Sequence, residues 1–356
     1  MLGLFRHSSR INNVDVSLSD QANRDHAGAG LDPSGPFDVA AFYHFGQLPD
    51  YASLQAPLTA LCESRGVMGI CLLANEGING TLAGLPQDMQ VVLSEIRALT
   101  GFPDLEHKLS YAETMPFLRL KIRLKKEIVT LGVPSVDPTR LVGTYVEPED
   151  WNTLIADPDI VLIDTRNADE VRIGTFEGAI DPQTKSFSQF PDYVKTQLDP
   201  KKHPKIAMFC TGGIRCEKAS NYMLQQGFSE VYHLKGGILK YLELIPEEQS
   251  KWHGDCFVFD RRVAVGHGLK VASHLHLCAG CRAPLSLEER QSNAYEEGVC
   301  CPYCVTVLSP QQKASARERH KQMILAEQRG TNHLGPRHAS HRHEDGRDES
   351  ILDGSS

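Results

Sequence analysis

From residue 38 onward the chain carries apolar positions in two rhythms. "VAAFYHF" reads as a strand over 38–45, and 51–65 as a helix with Leu54, Leu58, Leu61 and Cys62 on one side. "VMGICLLA" is a second strand, "NEGINGT" a Gly/Asn turn and "GTLAG" a short third strand. A helix over 86–100 follows, with Met89, Leu93, Ile96 and Leu99 on one face, and then two further extended stretches. The order β-α-β-β-α-β predicts a ferredoxin-like (acylphosphatase-like) α/β sandwich over 37–137.

A second unit is predicted over 138–252. "DIVLIDTR", "KIAMFC" and "EVYHL" are short apolar strands, separated by the helical patterns "EDWNTLIAD", "FPDYVKTQL" and "EKASNYMLQQ". Strands alternating with helices predict a parallel sheet with helices on both faces. Ligands of such sheets sit outside the carboxyl ends of the strands, where Asp164 and Cys210 fall. Residues 253–308 form a small cysteine-rich module, and 309–356 a polar helix ("QQKASARERHKQMILAEQRG") with a disordered tail containing His333, His338, His341 and His343. Residues 1–36 lack periodicity and read as a disordered lead.

Composition narrows the setting. The chain has 356 residues, 41% apolar and 23% charged, enough to bury cores in two or three domains. A net charge of −8 gives no global basic field, so any nucleic-acid contact must come from a local patch. No apolar run is long enough for a spanning helix, and the opening residues lack the apolar core of a signal peptide, so a cytoplasmic protein without membrane contact is expected. Ten cysteines in a reducing compartment point to metal binding or catalysis where they cluster. Cys62 and Cys71 fall in apolar patterns and read as core.

"KIAMFCTGGIRC" joins a strand to a helix through a short glycine-containing loop: Cys210, Thr211, Gly212, Gly213, Ile214 and Arg215. Backbone N–H groups of such a loop point inward at a helix N-terminus, form an anion cradle and lower a thiol pKa. Arg215 adds positive charge, and Cys210 becomes a candidate nucleophile or sulfur carrier. A Cβ at 212 or 213 is expected to keep the backbone from wrapping closely. Cys216 reads either as a helix residue packed under the loop or as a resolving thiol. Asp164 and Arg166 flank the same face as supporting residues, Asp164 holding the loop or orienting an arginine. Glu170 reads as scaffold or as solvent-exposed.

"VLIDTRNADEVRIGTFEGAI", "CTGGIRCEKAS" and "VYHLKGGILKYLE" resemble the successive signatures of a rhodanese domain. The spacing Cys210 to Arg215 is one residue shorter than the Cys-x5-Arg of related phosphatases, which disfavours phosphatase chemistry. Thr175 stands where many rhodaneses carry His. With "FYHF", "ANEGINGTLAG", "MPFLRLKIRLKKEIVTLG" and "GDCFVFD", the chain over roughly 37–305 resembles the bacterial tRNA uridine(34) hydroxylase family. The resemblance implies oxygen-dependent conversion of the wobble uridine of tRNA to 5-hydroxyuridine, with molecular oxygen as co-substrate, tRNA as partner and Cys210 as the active-site cysteine. The loop alone suggests the alternative of a sulfurtransferase carrying a persulfide on Cys210. No flavin or nicotinamide signature is present, and the electron donor is not legible in the sequence.

Two further patterns bear on partners. "LRLKIRLK" alternates strictly, placing Leu118, Leu120, Ile122 and Leu124 on one strand face and Arg119, Lys121, Arg123 and Lys125 on the other. Same-face residues lie about 6.7 Å apart, so the cations form a row suited to a phosphate backbone. No aromatic residue shares that face, and base stacking is expected elsewhere. Cys278, Cys281, Cys301 and Cys304 form C-x2-C, nineteen residues, C-x2-C, the spacing of a closed structural zinc site. Cys300 can replace Cys301, and His274 and His276 are possible substitutes.

Overall fold

The structure, a computed structural model, describes residues 37–329. The predicted lead, the tail and its histidines lie outside the described residues.

The N-terminal domain contains β1 (Phe37–Phe45), α1 (Gln55–Ser64), β2 (Met68–Ala74), β3 (Gly77–Gly84), α2 (Pro86–Thr100), β4 (His107–Ala112) and β5 (Leu120–Leu124). Its sheet runs β4-β1-β3-β2, the ferredoxin-like order, with β5 added parallel to β2 at the edge. Leu58 and Cys62 of α1 and Met89, Val92, Leu93 and Ile96 of α2 pack on Phe42, Leu73 and Ile78 of the sheet. Leu99, assigned to that face from its spacing, is 38% exposed. The glycines of "NEGINGT" are not all turn residues. Only Asn75 and Glu76 join β2 to β3, and Gly77 and Gly80 lie inside β3. A Cβ at Gly77 (φ +140) would sit 2.0 Å from the His44 carbonyl, so this glycine is required by close strand approach.

The second domain holds β6 (Thr144–Val146), α3 (Pro148–Leu154), β7 (Ile160–Asp164), α4 (Ala168–Val171), β8 (Gly174–Phe176), α5 (Phe190–Gln197), β9 (Lys205–Phe209), α6 (Ile214–Gln225), β10 (Glu230–Leu234) and α7 (Gly237–Leu244). Its all-parallel sheet has the order β6-β10-β9-β7. Alternate residues of β9 feed two cores. Ile206 and Met208 face α5 and α6, while Ala207 and Phe209 join Trp151 of α3 and Ile238 and Tyr241 of α7. Burial on both faces is why "KIAMF" is apolar without alternation.

The last part is built from short pairs: β11 (Trp252–Gly254) on β8, β12 (Cys256–Phe257) with β13 (Ala264–Val265), and β14 (His276–Leu277) with β15 (Pro284–Leu285). It ends in α8 (Leu287–Arg290) and the polar α9 (Pro310–Gln328). No helix among the described residues is long and apolar enough to cross a membrane.

Candidate active site

β9 ends at Phe209, and the chain turns through Cys210–Gly213 into α6. Gly213 caps the helix at φ +102, a conformation that favours glycine, and a Cβ there would lie 2.9 Å from Tyr43 Oη. Gly212 differs from expectation: a Cβ there meets nothing within 4 Å. The loop is fixed from behind by α7. Ile238 N–H donates to the Cys210 carbonyl at 2.9 Å and Leu239 N–H to that of Thr211 at 3.0 Å. Gly237 (φ +66) permits this contact, because a Cβ would stand 2.5 Å from the Cys210 carbonyl oxygen.

The sulfur of Cys210 accepts the Gly213 N–H at 3.1 Å. Burial opposes its ionisation, but hydrogen bonding from the Cys216 side chain, the Arg215 charge and the N–H groups of Cys216 and Gly213 outweigh it and bring the thiol down to about 6. Cys216 responds in the opposite sense: burial and the neighbouring Cys210 hold it well above the ordinary thiol range. It is fully buried, with Thr165 Oγ1 3.6 Å from its sulfur, and packs under the loop. Cys210 itself is only 1% exposed, so the sulfur lies beneath the loop surface, and Gly212 and Ile214 are the partly exposed loop residues.

Arg215 does not face the thiol alone. Its guanidinium forks onto Glu170 at 2.7 and 2.8 Å, and Thr211 Oγ1 donates to the same carboxylate at 3.3 Å. Glu170 is buried, which removes the solvent-exposed reading; the Arg215 and Arg166 charges hold its carboxyl below the usual range despite burial. Asp164 orients Arg166 through bonds of 2.9 and 2.6 Å, and accepts from Thr175 Oγ1 at 2.8 Å. Arg166 also donates to the Gly174 carbonyl at 2.5 Å and stacks 5.1 Å from the Trp252 ring. Both residues are fully buried, joining the loop domain to β8 and β11.

Several neighbours come from the N-terminal domain, which sequence spacing did not connect to the loop. Lys108 Nζ on β4 donates to the Gly212 carbonyl at 2.9 Å. Tyr43 Oη on β1 donates to Glu217 Oε1 at 3.0 Å, and Tyr145 Oη on β6 to Glu217 Oε2 at 2.7 Å. Burial raises the Glu217 carboxyl, and the two tyrosines hold it back. Lys218, next on α6, is gripped by Glu76 at 2.8 Å and Glu127 at 2.6 Å. The segments "FYHF" and "VYHLKGGILKYLE" contain Tyr43 and Gly237; only the fold puts them on the loop.

The basic row is less uniform than its alternation suggests. β5 spans only Leu120–Leu124; Leu120 and Ile122 join the core, while Leu118 and Leu124 are exposed. Lys121, Arg123 and Lys125 each have contacts within the protein. Arg119 precedes the strand and is exposed.

Cys278, Cys281, Cys301 and Cys304 place their sulfurs within 4.8 Å of one another. The separations Cys278–Cys304, Cys281–Cys301 and Cys301–Cys304 are 3.8, 3.6 and 3.8 Å. Tetrahedral Zn–S bonds of about 2.3 Å place sulfurs about 3.8 Å apart, so this donor set fits a metal ion. Gly280 N–H and Cys301 N–H each donate to a cluster sulfur at 3.3 Å, as thiolates require. Cys300 turns to the Ala294 carbonyl and His274 to Asp255, so neither substitutes, and His276 lies outside the set.

A parallel sheet with a low-pKa cysteine loop at its carboxyl edge, behind a ferredoxin-like domain, defines a rhodanese-type protein with an N-terminal partner domain. Residues 147–244 match the rhodanese-like domain, and residues 37–128 the UPF0176 acylphosphatase like domain. The chain is 58% identical over 302 residues to the tRNA uridine(34) hydroxylase of Agrobacterium fabrum, covering 85% of this chain and 96% of that one. Those of Rhizobium etli and Teredinibacter turnerae are each 56% identical, over 85% and 84% of this chain and 97% and 93% of theirs. The chain belongs to the tRNA uridine(34) hydroxylase family.

Proposed function

We propose that this chain hydroxylates uridine 34 of tRNA at C5, giving 5-hydroxyuridine, and that Cys210 is the residue that engages the base. The observation that carries the site assignment is the Gly213 N–H to Cys210 Sγ bond in a loop that lowers the thiol to about 6, so the nucleophile is ionised at neutral pH. Uracil C5 is not electrophilic, whereas C6 is. The thiolate adds to C6, the C5–C6 electron pair passes through C4 to O4, and the resulting enolate makes C5 the nucleophile toward the oxidant. Loss of the C5 proton and expulsion of the thiolate then restore the aromatic base. With dioxygen as oxidant, one oxygen atom enters the base and the other leaves as water. The two electrons and two protons this requires come from a donor outside the chain.

Asp164, Arg166 and Glu170 act through Arg215 and the loop, and Cys216 holds a proton against the Cys210 sulfur. Arg119, with Lys121 and Arg123 on the adjoining strand and Lys125 just past its end, supports contact with the tRNA backbone. Cys278, Cys281, Cys301 and Cys304 would hold a zinc ion whose four thiolates leave no open position, so it supplies structure and no step. The reaction belongs in the cytoplasm, where the tRNA is.

The test is nucleoside mass analysis of tRNA from cells lacking the protein, complemented with wild type or Cys210→Ser. Only the wild type is expected to restore 5-hydroxyuridine, and restoration by the serine variant would overturn the assignment. Thiosulfate-to-cyanide transfer in place of any tRNA product would favour the persulfide chemistry.

A further inference from the structure

The turn Phe259–Arg262 belongs to "GDCFVFDRR", and the chemistry at Cys210 leaves it without a role. Arg262 clamps Asp260 through bonds of 2.9 and 2.6 Å, and reaches Ser110 Oγ at 2.7 Å and the Tyr111 carbonyl at 3.3 Å on β4. Arg261 N–H donates to the Pro116 carbonyl at 3.0 Å. The turn is thus fixed to the N-terminal domain by its polar groups, and what it presents outward is Phe259, 47% exposed, and the exposed Arg261. The Phe259 ring is braced edge-on by Phe257, with centroids 5.1 Å apart, and lies 6.0 Å from the guanidinium of Arg215, the arginine of the Cys210 loop. Beyond Pro116 the chain exposes Leu118 and Arg119. Among the described residues, the side chains of Arg261 and Arg119 make no ion pair or hydrogen bond.

A braced aromatic ring, with one exposed uncompensated cation two residues along the same turn and a second just beyond the Pro116 that holds the turn, suits a polyanion with flat unpaired rings better than an apolar protein surface. We propose that Phe259, Arg261 and Arg119 form the platform that grips the anticodon loop beside Cys210, Phe259 stacking on an unpaired base and the arginines holding flanking phosphates. This rests on the reading of Cys210 as the point where a tRNA base reacts, because the platform adjoins that loop through Arg215. It also supplies the stacking group that the β5 row lacks.

The experiment measures binding of a labelled anticodon stem-loop RNA to the full chain by fluorescence anisotropy at several salt concentrations. Phe259→Ala is expected to weaken binding about 10-fold and Phe259→Trp to retain it. Arg261→Gln should weaken binding and reduce the slope of log affinity against log salt by about 0.7. Leu287→Ala, at an exposed apolar site in α8, should change nothing. A fully paired RNA should not distinguish Phe259→Ala from wild type. Unchanged stem-loop binding by folded Phe259→Ala and Arg261→Gln, or equal losses on paired RNA, would overturn the platform. Cells in which Cys210→Ser still restores 5-hydroxyuridine, while the wild type binds the stem-loop through Phe259, would overturn the reading of Cys210 and leave the platform standing.

Discussion

Lys108 Nζ donates to the carbonyl of Gly212 at 2.9 Å, so a cation from the N-terminal domain is built into the rhodanese loop. Arg215 is already neutralised by Glu170, whereas Lys108 is buried beside the thiol: burial lowers its pKa, and Cys210, Glu106 and Glu243 pull it back up. Tyr43, Glu217, Arg215 and Cys216 are further ionisable groups that interact with Cys210. Lys108→Met should therefore raise the pH at which Cys210 is half-ionised, by about one unit, and Lys108→Arg should largely restore it. The pH profile of iodoacetamide alkylation, read by mass spectrometry, measures this; an unchanged midpoint in Lys108→Met would remove Lys108 from the thiolate's environment.

The Cys210 thiol, lowered to about 6, fixes the sign of the pH response. The reactive form is the deprotonated one, so alkylation should climb as pH rises through about 6 and stay level above. Hydroxylation should fall on the acid side of the same midpoint. A midpoint near the ordinary thiol value of about 8.5 would contradict the amide cradle.

Glu170→Gln leaves the Arg215 guanidinium, 5% exposed, without its countercharge. Removing one partner of a buried pair costs about 3 kcal/mol or more, and urea unfolding should show it. The double variant Glu170→Leu/Arg215→Met should recover much of that loss, since it leaves no buried charge unpaired. Additive losses in the double variant would mean that the two side chains stabilise the fold independently.

Gly237→Ala introduces a Cβ 2.5 Å from the Cys210 carbonyl oxygen, at φ +66. The loop must shift, so Cys210 should lose its low pKa along with roughly 2 kcal/mol of stability. Gly212→Ala, whose Cβ meets open space, should leave both intact. Equal alkylation profiles for the two variants would show that α7 does not set the loop.

Protein purified without a histidine tag should hold about one equivalent of zinc. Cys281→Ser should lose it, and Cys300→Ser should keep it because that sulfur points to the Ala294 carbonyl. Chelation should unfold 278–304 locally while the Cys210 alkylation midpoint stays in place. Full metal retention by Cys281→Ser would exclude the four-sulfur site.

Period and punctuation specify much of this protein locally. The apolar run "KIAMF" followed by "CTGGIRC" fixes a buried strand, a cysteine at its end and a glycine-capped helix, because these depend on neighbours within a few residues. The paired C-x2-C knuckles are legible for the same reason. Sequence spacing misplaced Gly77 and Gly80, since strand crossing and a tight turn demand the same residue. It left Glu170 open between scaffold and solvent, and only the fold decides for scaffold by burying it against Arg215. Above all, it could not show that Tyr43 and Lys108 meet a loop 100 residues or more away, nor that Phe259 arrives beside it. Those placements depend on how distant segments pack, through long-range pairs such as Lys218 with Glu76 and Glu127, which leave no periodic trace in the chain.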